Sequence, residues 1–280
     1  YEVRNKLSTT QIKQPKYFLI KNLSELKTAI NNIGLPVVVK PNDGYASIGV
    51  LMIRSQNDLE VALKELPEYL DYGLGEKSTG SYIVEELIDG DVISCEVLVA
   101  KEKISFLGIT DRSFNVPNSP VEFGGCFPST RYPTKLIQDT TYQILKEINF
   151  DQGAAHIELI VNDNGIYLVE VNGRLIGGAL PKLLSLALGR SVYKDIINIS
   201  INPEYILPEV TYEGIACIMW LYSEEKGILK SVNLPSPLPL GVKLFDYCRP
   251  PRSPINPPKT NNDRIAYIMT LASDQNTAEQ

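Results

Sequence analysis

A single histidine stands in the 280 residues. Multi-histidine metal centres are therefore excluded, and a Ser-His-Asp hydrolase would have only His156 to build on. Cysteine is almost as scarce. Cys95, Cys126, Cys217 and Cys248 are widely spaced, form no CxxC pair, and read as reduced thiols rather than a disulfide frame or zinc site. No apolar run approaches the ~18 residues a membrane span needs; stretches such as Gly214 to Tyr222 are of strand length. Positive charge is also short: 27 Lys+Arg against 33 Asp+Glu leave a net charge of −6. That removes the electrostatic case for nucleic acid or an anionic membrane as partner. There is no internal repeat, no Walker motif and no GxGxxG. Chemistry in such a chain has to run on lysine, arginine, carboxylates and a metal. Tyr1 to Thr10 contains neither an initiator Met nor a signal-peptide core, so a piece of a longer, cytoplasmic chain is expected.

What is present is an α+β pattern. Tyr17 to Ile20 reads as a strand, and Leu23, Leu26, Ile30 and Ile33 line one face of a helix that Gly34 ends. A strand through Val37 to Lys40 leads into the small-residue loop Asn42 to Gly49, and Ser55 or Asn57 can cap a helix reaching about Leu66. Tyr82 to Ile88, Asp91 to Lys101 and Lys103 to Ser113 read as strands. The polar segment Phe114 to Thr130 reads as a loop before a helix from about Thr134 to Ile148. Two helices follow between Gly177 and Ile201. Beyond Pro203 the chain becomes β-rich and proline-rich, and Asp274 to Glu279 reads as a capped helical turn.

The most informative stretch is the hairpin His156 to Arg174. A three-residue loop, Asp163-Asn164-Gly165, makes Asn162 face Ile166. Glu158 then lies opposite Glu170 and His156 opposite Asn172, while Ile157, Leu159, Val161, Tyr167, Val169 and Val171 face a core. Carboxylates opposed at about 5 Å repel by roughly 3 kcal/mol at an effective dielectric near 20. A raised pKa, splaying into water, or an intervening cation can relieve them. Asn172 adds an amide oxygen to the same face, which suits a hard divalent ion such as Mg²⁺, commonly held together with substrate phosphates. A phosphate site is available at Lys40 and the loop bearing Gly44, Ser47 and Gly49. The end of the next strand, Glu85-Glu86-Leu87-Ile88, can offer main-chain groups to an adenine edge.

In this order the segments resemble the ATP-grasp enzymes. The family pattern is a strand ending in a phosphate lysine, a small-residue loop, a Glu-Glu/Lys hinge, and a hairpin ending E-x(11)-E-x-N-x-R; Glu158, Glu170, Asn172 and Arg174 match the last. The segment Gly108 to Ser129 is similar to the carboxylate-amine ligase branch, which includes amino-acid and dipeptide ligases, with Arg112 as its basic residue near the phosphates. The resemblance implies an ATP-grasp fold with a small lid subdomain (residues 1–80), a large subdomain carrying the metal hairpin (81–203) and a β-rich C-terminal domain (204–280). It implies ATP bound by Lys40, Ser47, Glu85, Glu86, Leu87 and Ile88, with Asp91 in place of the family's ribose-side Glu. Glu158, Glu170 and Asn172 would hold one or two Mg²⁺ ions, with Mn²⁺ as an alternative, and Arg174 and Arg112 would act in catalysis. The implied reaction joins a small-molecule carboxylate to an amine, or to a thiol, through an acyl phosphate. A carbamoyl-phosphate-synthase-like enzyme and a catalytically weak nucleotide-binding module are the alternatives, and a homodimer is among the assemblies open to it. The family's first ATP lysine belongs to an Asp-Lys pair that would stand just ahead of Tyr1, leaving Lys6 as a substitute.

Overall fold

A computed structural model of the chain describes residues 1–66, 70–73, 75–101, 103–114 and 121–280. Helix α1 (Glu2–Leu7), strand β1 (Tyr17–Ile20), helix α2 (Leu26–Ile33), strands β2 (Val37–Pro41) and β3 (Leu51–Ile53) and helix α3 (Gln56–Glu65) open the fold. Gly34 stops α2 at φ 92°, and Ser55 starts α3 through a capping box with Asp58, so both ends follow the local sequence. A short pair, β4 (Asp71–Gly73) and β5 (Glu76–Lys77), leads to β6 (Tyr82–Glu86). The first sheet has the order β1-β6-β2-β3. All its neighbours are antiparallel.

The second sheet combines β7 (Asp91–Ala100), β8 (Lys103–Asp111), β10 (Gly153–Asn162) and β11 (Gly165–Asn172) in the order β11-β10-β7-β8. Helix α4 (Thr134–Glu147) covers one face and shares its core through Ile137, Ile144 and Leu145. The turn between β7 and β8 includes residue 102, which lies outside the described residues.

The third sheet, β14-β16-β12-β9, joins β12 (Ile215–Leu221), β14 (Val242–Tyr247) and β16 (Ala266–Ala272) to β9 (Gly124–Phe127). The last strand corrects the sequence reading, which took Phe114 to Thr130 as loop throughout. Its four residues are too short and glycine-rich to announce a strand, and only pairing with β12 makes them one. Helix α5 (Leu180–Leu188) packs on this sheet beside Trp220 and Met269, and α6 (Val192–Ile201) packs on α5 and on β7 and β10 of the second sheet. Two short strands, β13 (Gly227–Ile228) and β15 (Pro254–Ile255), pair in the tail. Helix α7 (Gln275–Glu279) is capped by Asp274, as expected. No helix among the described residues is long and apolar enough to cross a membrane.

A second correction concerns cysteine. Cys126 and Cys217 are cross-strand neighbours on β9 and β12 and are joined as a disulfide, not held as free thiols. Sequence spacing could not show this, because the two stand 91 positions apart and only sheet pairing brings them together.

Candidate active site

The β10–β11 hairpin brings Glu158 opposite Glu170 and His156 opposite Asn172, as expected, but by a different route. Asn162 pairs with Gly165 across a two-residue Asp163-Asn164 turn, tightened by the Asn162 side chain accepting from Asn164 N–H at 2.9 Å. An extra residue at Val169 then shifts the register between Glu158 and Leu159 and restores the carboxylate pair. Between turn and bulge the faces are therefore exchanged. Leu168 is core, while Tyr167 opposes Ile160 and lines a cleft instead of the core. Bulges recur beside active sites because they re-aim side chains and free ladder carbonyls.

The freed carbonyls have a partner that sequence reading missed. Arg4, buried on α1, donates from Nη1 to Leu168 O at 2.6 Å and from Nη2 to Val169 O at 2.7 Å. Its Nε donates to Glu85 Oε1 at 2.8 Å, and Lys40 Nζ lies 2.7 Å from Glu85 Oε2. One buried carboxylate thus ties Lys40 to the hairpin. Burial would raise the Glu85 carboxyl, but Lys40 and then Arg4 hold it below the ordinary range. The hinge itself is pinned by Glu86 N–H to Lys16 O and Leu87 N–H to Pro36 O. The Ile88 N–H is left without a partner among the described residues.

The loop after Lys40 turns through Ala46 at φ 52°, Ser47 at φ 60° and Gly49 at φ 74°. Two adjacent non-glycine residues in the left-handed region cost about 1–2 kcal/mol each, a strain typical of ligand-clamping segments.

Arg112 is no solvent-facing loop charge. Its side chain is only 9% exposed, and it donates from Nη1 to Glu122 Oε1 and from Nη2 to Glu158 Oε1 at 3.1 Å. Burial works against its charge, yet Glu122 and Glu158 hold its pKa above the usual value. His156 places Nδ1 3.0 Å from Glu96 Oε1 and Nε2 3.1 Å from Glu158 Oε1. Burial would lower its pKa, but Glu96 first and Glu158 next push it up to about 9, while Nε2 also lies 3.1 Å from Arg112 Nη2. Arg112 and His156 also outweigh the burial of Glu158 and keep it ionised. The carboxylate pair is thus relieved by protein cations on Glu158 and by exposure of Glu170. Glu96 and Glu122 were legible only as lone acids among apolar neighbours.

A cleft of about 1340 Å³ between the sheets gathers most of the expected residues. Lys40, Ser47, Glu85 to Ile88, Arg112, Glu158, Glu170, Asn172 and Arg174 all line it. Asp91 does not. It faces Tyr132, whose hydroxyl burial and then Asp91 push up to about 12, and Val92 takes its place in the cleft because strand neighbours alternate faces. Lys6 is also elsewhere, donating to Ile148 O at 2.9 Å.

The donors suit a hard divalent ion. Glu158, Glu170 and Asn172 share one face of the hairpin, Glu170 has no ion pair among the described residues, and Asn172 offers Oδ1, which accepts from Arg174 Nη2 at 3.3 Å. An all-oxygen set of this kind matches Mg²⁺ rather than a soft metal.

The ATP-grasp domain family matches residues 33–181. The chain belongs to the ATP-grasp family. An uncharacterised protein of Sinorhizobium fredii is 26% identical over 290 residues, covering 99% of this ATP-grasp chain and 57% of that protein. An L-arginine-specific L-amino acid ligase of Bacillus subtilis is 22% identical over 218 residues, 76% of this chain and 51% of the ligase. The chain therefore spans just over half the length of these curated relatives. The crystal structure of an L-amino acid ligase from Bacillus licheniformis superposes with a TM-score of 0.84 at 17% identity, covering 99% of this chain and 69% of that one. That likeness establishes a shared fold.

Proposed function

We propose that this chain is the ATP-binding and catalytic part of a carboxylate–amine ligase that works through an acyl phosphate, with amino acids as the first substrate class to test. One observation carries the reading: the hinge, Lys40 and the Glu158–Glu170–Asn172–Arg174 set, far apart in sequence, line one cleft. Adenine would lie against the Ile88 N–H and the Glu86 carbonyl, with the phosphates toward Lys40 and the strained loop at Ser47. Glu158, Glu170 and Asn172 would hold Mg²⁺, which supplies charge neutralisation at the phosphates when bound. Arg174 stands beside Asn172, with Nη2 3.3 Å from its Oδ1, and adds a cation where the γ-phosphoryl group moves. Arg112 is engaged on both sides by carboxylates and fixes Glu158 rather than contacting substrate. An amine would then displace phosphate from the acyl carbon.

The test is ADP release with L-amino acids supplied singly and in pairs. Turnover that requires a carboxylate and rises with an added amine supports the ligase. ATP consumption indifferent to every carboxylate overturns it. Glu170→Gln should abolish turnover while changing metal-free stability by less than about 0.5 kcal/mol, since Glu170 is exposed.

A further inference from the structure

Arg264 reaches the cleft from the C-terminal sheet, and the ATP machinery described above does not use it. Its guanidinium lies 3.9 Å from the centroid of the Trp220 ring. Nε donates to the Tyr222 hydroxyl at 3.2 Å, and Nη2 donates to Glu122 Oε2 at 3.0 Å and Asn261 Oδ1 at 3.1 Å. The fork is therefore fixed in place, while both N–H groups of Nη1 have no partner among the described residues.

That free end points at the glycine turn before α5. A Cβ on Gly178 would lie 3.5 Å from Arg264 Nη1, and one on Gly177 would lie 3.9 Å from Arg174 Nη1. Two guanidinium groups thus flank successive residues whose Cα atoms are about 3.8 Å apart. One stands at the metal hairpin and the other on the aromatic floor. Arg174 has no carboxylate in ion-pair range among the described residues, and Glu122 is shared between Arg112 and Arg264. The neighbouring cation Lys182 is already engaged by Asp246 and Tyr267. Positive charge at this turn is left under-compensated, on a rigid arginine suited to a carboxylate.

We propose that Arg264 binds a carboxylate of the amine substrate, one the reaction does not consume, and so restricts the acceptor to amines that carry an anionic group. This deepens the ligase reading and rests on it. Arg264 is then a specificity-determining residue rather than a catalytic one.

Trp220 is the chain's one tryptophan, so its fluorescence reports on this site directly. The probes are a panel of L-amino acids and their C-terminal amides, titrated with a nonhydrolysable ATP analogue and Mg²⁺ present. Acids should change the emission with affinities at least tenfold better than the matching amides. Arg264→Gln should erase that preference, and Arg264→Lys, which keeps charge but loses the fork, should fall between. Analogue binding within twofold of the parent chain certifies that each variant is folded. The proposal is overturned if amides bind as well as acids, if Arg264→Gln leaves acid affinity unchanged, or if no acid alters the emission. Failure of the analogue to bind the parent chain would instead count against the ligase reading, whatever the acids do.

Discussion

Glu85 shows how much of the site a single side chain organises. Its carboxylate is 3% exposed and carries two cations, Arg4 and Lys40. Glu85→Gln keeps the shape but strands both charges, and losing one member of a buried ionic group typically costs about 3–5 kcal/mol. A fall of that size in the urea unfolding free energy is expected at neutral pH. The sign of the pH dependence follows from the depressed carboxyl. Its contribution is full above the unfolded value of about 4.3 and is lost as pH falls through the folded value. The gap between parent and variant should therefore close in acid; a gap that widened there would mean the charge is not the stabilising feature. Residue identity made Lys40 and the hinge legible, but not Arg4. Nothing in "YEVR" says that its arginine is buried, because the carbonyls it satisfies exist only once the bulge at Val169 has formed.

At the scale of elements, the hairpin, the helix ends and the capped α7 follow from period, glycine and capping residues. The failures share one cause. Strand β9, the Cys126–Cys217 link and the cleft-facing side of Tyr167 are all set by pairing partners, and local preference is weak where four residues or one bulge decide the register. The disulfide anchors the strand just after Glu122, and so the carboxylate that bridges Arg112 and Arg264. Peptide mapping without reductant should recover Cys126 linked to Cys217. Reduction should lower the unfolding free energy by about 2–4 kcal/mol, since the bridge restrains a long loop in the unfolded chain. Two free thiols under oxidising conditions would refute the link.

Across the whole molecule the cleft is a joint product of three sheets, with Lys40 from the first, Glu158 from the second and Trp220 from the third. A ligand spanning them should stabilise the chain as a unit. With Mg²⁺ present, a nonhydrolysable ATP analogue at about a hundredfold its Kd should add roughly 2.7 kcal/mol. The analogue without Mg²⁺ should bind far more weakly, because its phosphate charges would then meet the exposed Glu170 carboxylate with no ion between them. Equal affinity with and without the ion would count against the metal assignment of Glu158 and Glu170.

The sequence by itself limited the chemistry that can be proposed: one histidine, a lysine-ended strand, a Glu-Glu hinge and the E-x(11)-E-x-N-x-R spacing point the proposed reaction to metal, arginine and nucleotide. It also determined most elements, because capping, glycine positions and periodicity act over a few residues. Only the tertiary structure decided which charges neutralise each other. Arg4 with Glu85, His156 with Glu96, and Glu122 between Arg112 and Arg264 are contacts between distant segments. Their strength depends on burial, and burial exists only after the sheets have packed.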